Sequence, residues 1–265
     1  MHAVQRVRQR PRRHPPGGGY ARGEATRRRI VETAIEMFGA SGYERTSTRA
    51  IARRAAVSLP ALQYYFGGKE GLLRACAEYI TADVRARLEP AIAQVQDALA
   101  TGVRSRRELL ALLERVLEPF LEAMATERPE SWVLFFTRAQ SERSPAFDVL
   151  FEGVVGRIIG VTAAILARLL ACELTDPEVL IRALSMIGPV ALLRRGRPLL
   201  LRALGWPDFG AERLALVKQV LWRQISLGLT PQRAKTSAPK ALRSAAPAYP
   251  SKGRPKSRST ERNSE

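Results

Sequence analysis

The sequence predicts an all-α protein of about nine or ten helices, with a three-helix head joined to a larger helical body. Three observations point there. Apolar residues recur at three- and four-residue intervals from Ile30 to Ile225, and no stretch sustains the two-residue alternation of β-branched side chains that a strand needs. Helix punctuation recurs as well: Ser105 with Glu108 matches a capping box, Asp176 before Pro177 an N-cap followed by proline, and Gly228 with Pro231 a stop. Both ends, 1–23 and 231–265, are too rich in Arg, Lys, Pro, Ser and Gly to form a core, so each is expected as a disordered basic segment.

The first helix is expected from Glu24 to Gly39, with Ile30, Ala34, Ile35, Met37 and Phe38 on its buried side; Gly42 ends it and Tyr43 packs back. Two short helices follow at 48–55 and 59–65. A fourth opens at Lys69 and is expected to stop near Leu88, because Pro90 lacks the amide a helix interior uses. Further helices are expected at 90–100, 106–125, 129–141, 145–171, 177–195 and 209–228. The domain organisation is then an arm (1–23), a head (24–70), a body (71–230) and a tail (231–265).

The formal charge of +18 is uneven. Residues 1–29 hold nine Arg against one acid and residues 231–265 nine Lys or Arg against two, leaving +3 for the 201 residues between. The basic ends read either as solvated termini or as arms that attract phosphates and lose their hold in salt. The two cysteines, Cys76 and Cys172, belong to no CxxC or metal-ligand spacing, so reduced thiols in the cytoplasm are expected. No secretory signal is visible, and the most apolar stretch, 154–171, is interrupted by Arg157 and Arg168, as in a core helix rather than a membrane span. The only histidines, His2 and His14, lie in the arm, and no GxSxG, GxGxxG or GKS/T pattern occurs, so an enzyme, a metal site and a bound cofactor are not expected.

Residues 46–72 carry the most chemistry. Thr46, Ser47 and Thr48 are capping types ahead of a helix whose Ile51, Ala52 and Ala55 face inward; Val57 fills the turn, and Leu62 and Phe66 point back into the same small core. Left outward on the next helix are Ser58, Leu59, Pro60, Ala61, Gln63, Tyr64 and Tyr65. That pattern is a helix-turn-helix, which delivers its second helix to the major groove of DNA. Gln63 suits an adenine edge, and Leu59, Pro60 and Ala61 suit thymine methyls. Tyr64, Tyr65, Thr48 and Lys69 are expected to hold phosphates, and Arg49 to do either.

With Ala34, Phe38, Gly42-Tyr43, Thr46 and Thr48, Ile51-Ala52, Ala55, Val57-Ser58, Tyr65-Phe66 and Lys69-Glu70-x-Leu72, the segment from Arg27 to Leu73 resembles the N-terminal domain of TetR-family transcriptional regulators. It departs from the family pattern at two positions. Ala56 stands where the turn glycine is usual, implying a strained or altered turn since alanine resists positive φ, and Gln63 replaces an aromatic, shifting a phosphate contact toward Tyr64. Leu59-Pro60-Ala61 through Leu72, with Arg138, Glu142, Ser144-Pro145-Ala146-Phe147, Gly188-Pro189, Arg194 and Leu204-Gly205-Trp206, is similar to the CerR/CecR-like branch.

The resemblance implies a body that binds a small-molecule effector and forms a two-fold homodimer on double-stranded DNA. Phe120, Met124, Trp132, Phe135, Phe136 and Phe147 are candidates for an apolar effector cavity, or are simply core. Arg138 either meets a polar part of the effector or pairs with Glu142 one turn on. Leu180, Leu184, Ile187 and Ala191, with Leu214, Val217, Leu221 and Ile225, are the candidate dimer stripes; a two-fold pairing through them predicts a palindromic operator with half-sites about 34 Å apart. The expected function is an effector-released repressor. The alternatives are an activator of the same family and a non-specific nucleic-acid-binding protein.

Overall fold

The computed structural model describes residues 18–125 and 129–229; the basic tail and residues 1–17 of the arm lie outside the described residues. All regular structure among them is helical: α1 (Gly18–Ser41), α2 (Thr48–Arg54), α3 (Leu59–Phe66), α4 (Lys69–Ala100), α5 (Arg106–Ala125), α6 (Glu130–Ser141), α7 (Pro145–Leu150), a π-helical turn (Phe151–Val155), α8 (Gly156–Leu170), α9 (Pro177–Arg195), α10 (Arg197–Leu204) and α11 (Ala211–Gly228). By contacts the chain divides into two compact units, described residues 18–80 with 129–149, and 81–125 with 150–229.

In the first unit α1 buries Ile30, Val31, Ala34, Ile35 and Phe38, and the Gly42 amide closes its last turn on the Phe38 carbonyl at 2.8 Å with φ at 83°. α6 lies across the C-terminal half of α1. Gly39 makes the crossing close, since a methyl there would stand 2.9 Å from the Ser131 carbonyl oxygen and 3.1 Å from the Phe135 nitrogen. Phe135 and Ala139 are buried.

In the second unit α5, α8 and α9 build the core from Leu109, Leu113, Val116, Ile158, Ile165, Leu166, Val179 and Ala183. α10 packs on α9 and α11 on α5. The segment Pro145–Leu170 is long and apolar enough by composition to cross a membrane, with a mean hydropathy of 1.9, yet α8 buries Ile158, Ile159, Val161, Ile165 and Leu166 as a core helix does.

Four elements differ from expectation. α1 begins at Gly18 rather than Glu24, so residues 18–23, expected within the disordered arm, are helical. α4 runs through Pro90 to Ala100 without a break. A proline inside a helix costs about 3 kcal/mol, but Leu88, Ile92, Val95 and Leu99 are buried on either side of it, and each contributes about 1.5–3 kcal/mol. Burial wins. The expected single helix over 145–171 is interrupted by the π turn, where Gly153 meets Thr81 so closely that a methyl would stand 2.3 Å from Thr81 Cγ2. α10 was not anticipated; Pro198 near its start and Gly205 at its left-handed end were the available signals.

Candidate nucleic-acid interface

Ser47 opens α2 by accepting from the Ala50 amide, and Ser58 opens α3 by accepting from the Ala61 amide, both at 3.2 Å. The turn between them closes like many helix ends: the Ala56 amide donates to the Arg53 carbonyl at 3.2 Å and the Val57 amide to Ala52 at 2.9 Å, with Ala56 left-handed at φ 52°. The family turn is thus retained with alanine in a conformation that costs an L-residue about 1–2 kcal/mol. Glycine there would lose about 0.5–1 kcal/mol more chain entropy on folding, so Ala56→Gly is expected to stabilise the protein by about 0.5–1 kcal/mol. Urea unfolding checks this, and a variant less stable than the parent would show that the turn is relaxed as alanine.

Beneath the turn Ile51, Ala52, Ala55, Leu62 and Phe66 are buried. Arg29 Nε donates to the Ala55 carbonyl at 2.9 Å, capping the end of α2, and the Arg27 guanidinium lies 5.6 Å from the Phe66 ring centre. Thr46 is itself buried, its hydroxyl donating to the Gly42 carbonyl at 2.7 Å and near the Met37 carbonyl at 3.2 Å, so it fixes the approach to α2 from inside.

The outward face holds the expected residues together. Arg49, Ser58, Leu59, Pro60 and Gln63 are exposed, Thr48, Ala61, Tyr65 and Lys69 half-buried, and Tyr64 is 86% exposed. Two of them are already engaged. Gln63 Nε2 donates to the Gly67 carbonyl at 2.9 Å, so its amide caps its own helix and must turn away to meet a base. Tyr65 turns toward α1, where a methyl on Gly23 would stand 3.5 Å from its hydroxyl. Lys69 Nζ donates to the Glu44 carbonyl at 3.3 Å and sits 4.2 Å from the Tyr43 ring centre, which leaves it a donor to spare at the start of α4. Burial, then the Glu70 and Glu44 carboxylates, raise the Tyr43 pKa above its ordinary value, so its ring stays neutral beneath that ammonium.

The candidate effector residues fall in both units. Trp132 stands edge-on to Tyr79 and Phe136 to Phe147, and Phe135 is buried, all in the first unit; Phe120 is buried in the second, and the Met124 side chain lies outside what is described. Arg138 faces α1, donating to the Gly39 and Ala40 carbonyls at 2.9 and 3.0 Å, with Glu142 3.7 Å away. Trp132, Phe136 and Phe147 are half-buried in these ring pairs, and Arg138 caps a helix.

The dimer stripes divide in the same way. On α9 Ile187 is buried and Leu180 half-buried; on α11 Leu214, Val217, Leu221 and Ile225 are half-buried because α11 lays that face over α5; the Ala191 side chain lies outside what is described. Leu184 points outward on α9, joined there by Ile181 and on α11 by Leu216, Val220 and Leu227, the last three missed because α11 is apolar on two faces.

Residues 30–76 match the model of bacterial regulatory proteins of the tetR family, and residues 109–230 match that of the C-terminal domain of the HTH-type transcriptional dual regulator CecR. A protein described as that dual regulator in Shigella flexneri is 25% identical over 206 residues, covering 78% of this chain and 92% of its own. The HTH-type transcriptional regulatory protein RaaS of Mycobacterium tuberculosis is 44% identical over 57 residues, 22% of this chain and 26% of that one. A solved TetR-like transcriptional regulator from Rhodococcus sp. RHA1 is 23% identical, with 76% of this chain and 96% of that one covered and a TM-score of 0.48. The chain carries a tetR-family N-terminal domain followed by a CecR-type C-terminal domain, the make-up of a DNA-binding transcriptional regulator rather than of an enzyme.

Proposed function

We propose that the protein is a sequence-specific repressor that binds a palindromic operator as a homodimer and leaves it when a small molecule binds. The observation that carries this reading is the α3 face, on which Leu59, Pro60, Gln63 and Tyr64 are displayed on a helix capped at both ends. A head at 24–70 and a body at 71–230, working in the cytoplasm, complete the reading.

The homodimer is supported by the outer faces of α9 and α11, where Ile181, Leu184, Leu216, Val220 and Leu227 are 48–67% exposed. Apolar side chains so arranged on neighbouring helices favour an isologous helix-on-helix contact. An effector is supported by unused hydrogen-bonding capacity in the second unit. Thr81 and Thr162 hydroxyls, Glu89 Oε2 and Arg157 Nε are buried without a hydrogen bond among the described residues, although Arg157 Nη2 pairs with Glu89 Oε1 and Arg85 Nε lies 3.8 Å from Glu89 Oε2; α4 and α8, which carry them, also bury Val84, Leu88, Ile158 and Val161. Such groups suit a partly apolar molecule that both accepts and donates hydrogen bonds.

Selection of bound duplexes from a random DNA library tests the reading. Two inverted half-sites about 34 Å apart are the expected outcome, and a pool without symmetry would remove the dimeric operator. Gln63→Ala is expected to cost about 1–3 kcal/mol and relax preference at one base position. Equal weakening on every sequence would reassign Gln63 to the DNA backbone. Activation is the second reading, favoured by the Shigella relative's description as a dual regulator. Transcription from a reporter with the selected site separates the two.

A further inference from the structure

Two side chains, one on α6 and one at its C-terminal cap, far along the chain from the DNA-reading helix, hold the turn on which that helix depends. α1 ends at Ser41 with its last carbonyls lacking intrahelical partners. Arg138 supplies donors to two of them, Nε to Gly39 and Nη2 to Ala40, and brings a cation to the negative end of the helix. Glu142, one turn further along α6, accepts from the Tyr43 amide at 3.4 Å and lies so near Gly42 that a methyl there would stand 2.7 Å from its Oε1. Gly42, at φ 83°, lets the chain reverse against that carboxylate.

The clamped turn reaches the DNA-reading face by two short routes. The Gly42 carbonyl accepts from Thr46, and the neighbouring Ser47 begins α2. The Tyr43 ring and the Glu44 carbonyl hold Lys69 at the start of α4, immediately after α3. Displacing residues 42–44 therefore displaces both the α2 cap and the Lys69 ammonium.

We propose that Arg138 and Glu142 are positioning residues for DNA recognition: touching no DNA, they set the register of α2 and of Lys69 through the Gly42–Glu44 turn. This rests on the operator-binding reading above. Arg138's fork makes two bonds in fixed directions, which a lysine cannot reproduce, so both Arg138→Ala and Arg138→Lys lose the effect. Operator affinity is expected to fall about tenfold in each.

The test uses the full-length chain and the duplex selected by the wild type, at a temperature where every variant is folded. A double-mutant cycle between Arg138→Ala and Lys69→Ala should be non-additive, with removal of Lys69 costing little once the clamp is gone. Phe135→Leu, which loosens the same helix but keeps the clamp, is the stability-matched control and should keep its operator affinity. Additive losses in the cycle, or an equal fall in Phe135→Leu, would overturn the proposal. If the wild type selects no sequence, the operator reading falls and this one with it; a selective wild type with additive losses overturns this one alone.

Discussion

Gly71→Ala is expected to destabilise the protein by about 3 kcal/mol and to collapse operator binding toward the non-specific level. A methyl on Gly71 would stand 2.0 Å from the Phe66 carbonyl oxygen and 3.2 Å from its carbonyl carbon. Both atoms are backbone, so no side-chain rotation relieves the contact, and the end of α3 must move away from the first turn of α4. Phe66 is buried, so that movement also opens the small core beneath α2 and α3. Gly67→Ala separates this effect from simple loss of a glycine. Gly67 is left-handed at φ 69°, and nothing lies within 4 Å of a methyl there, so its cost is conformational, about 1–2 kcal/mol. Denaturant unfolding and titration of the selected duplex check both variants. Equal losses would mean that the Gly71 approach is not the limiting contact.

The contrast between these glycines shows why the α2–α3 segment was readable in advance and much else was not. Its determinants are local. Ser47 and Ser58 cap the helices they precede, Pro60 sits in a first turn, and Ile51, Ala52, Leu62 and Phe66 close a core within twenty residues of sequence. Gln63 marks the boundary of that legibility: its exposure followed from periodicity, but its bond to Gly67 depends on where the left-handed residue ends α3.

Contacts between distant segments were hidden for a different reason. α6 has an apolar face, and amphipathicity says that it is covered without naming by what. Trp132, Phe135 and Phe136 therefore read equally as cavity lining or as core; Phe135 is buried where α6 crosses α1, about a hundred residues upstream. Arg138 is the sharper case. Its spacing to Glu142 one turn on was legible and the two lie 3.7 Å apart, while its hydrogen-bond partners are the Gly39 and Ala40 carbonyls, which no side-chain pattern records. On α11 two apolar stripes compete, and only the docking of one on α5 leaves Leu216, Val220 and Leu227 outside. Pro90 shows the reverse failure, a local rule overruled by burial on both sides.

Gly39→Val should destabilise the first unit by about 3 kcal/mol and expose α6 to solvent exchange. In an open helix, replacing glycine normally helps: Gly160 on α8 has nothing within 4 Å of a methyl, and Gly160→Ala is expected to stabilise by about 1 kcal/mol. At Gly39 the same gain is overwhelmed. Its first added carbon already meets the Ser131 carbonyl at 2.9 Å, the Phe135 nitrogen at 3.1 Å and Leu134 Cβ at 3.2 Å, and the two valine methyls extend further into α6. α6 cannot retreat without withdrawing Phe135 from its buried site and pulling Arg138 from the carbonyls it caps. Loss of stability should therefore coincide with faster amide exchange along α6 and in the Gly42–Thr46 turn, while α5 and α8 keep their protection. Unchanged exchange in α6, with exchange raised across α5 and α8 instead, would place the crossing's contribution elsewhere in the fold.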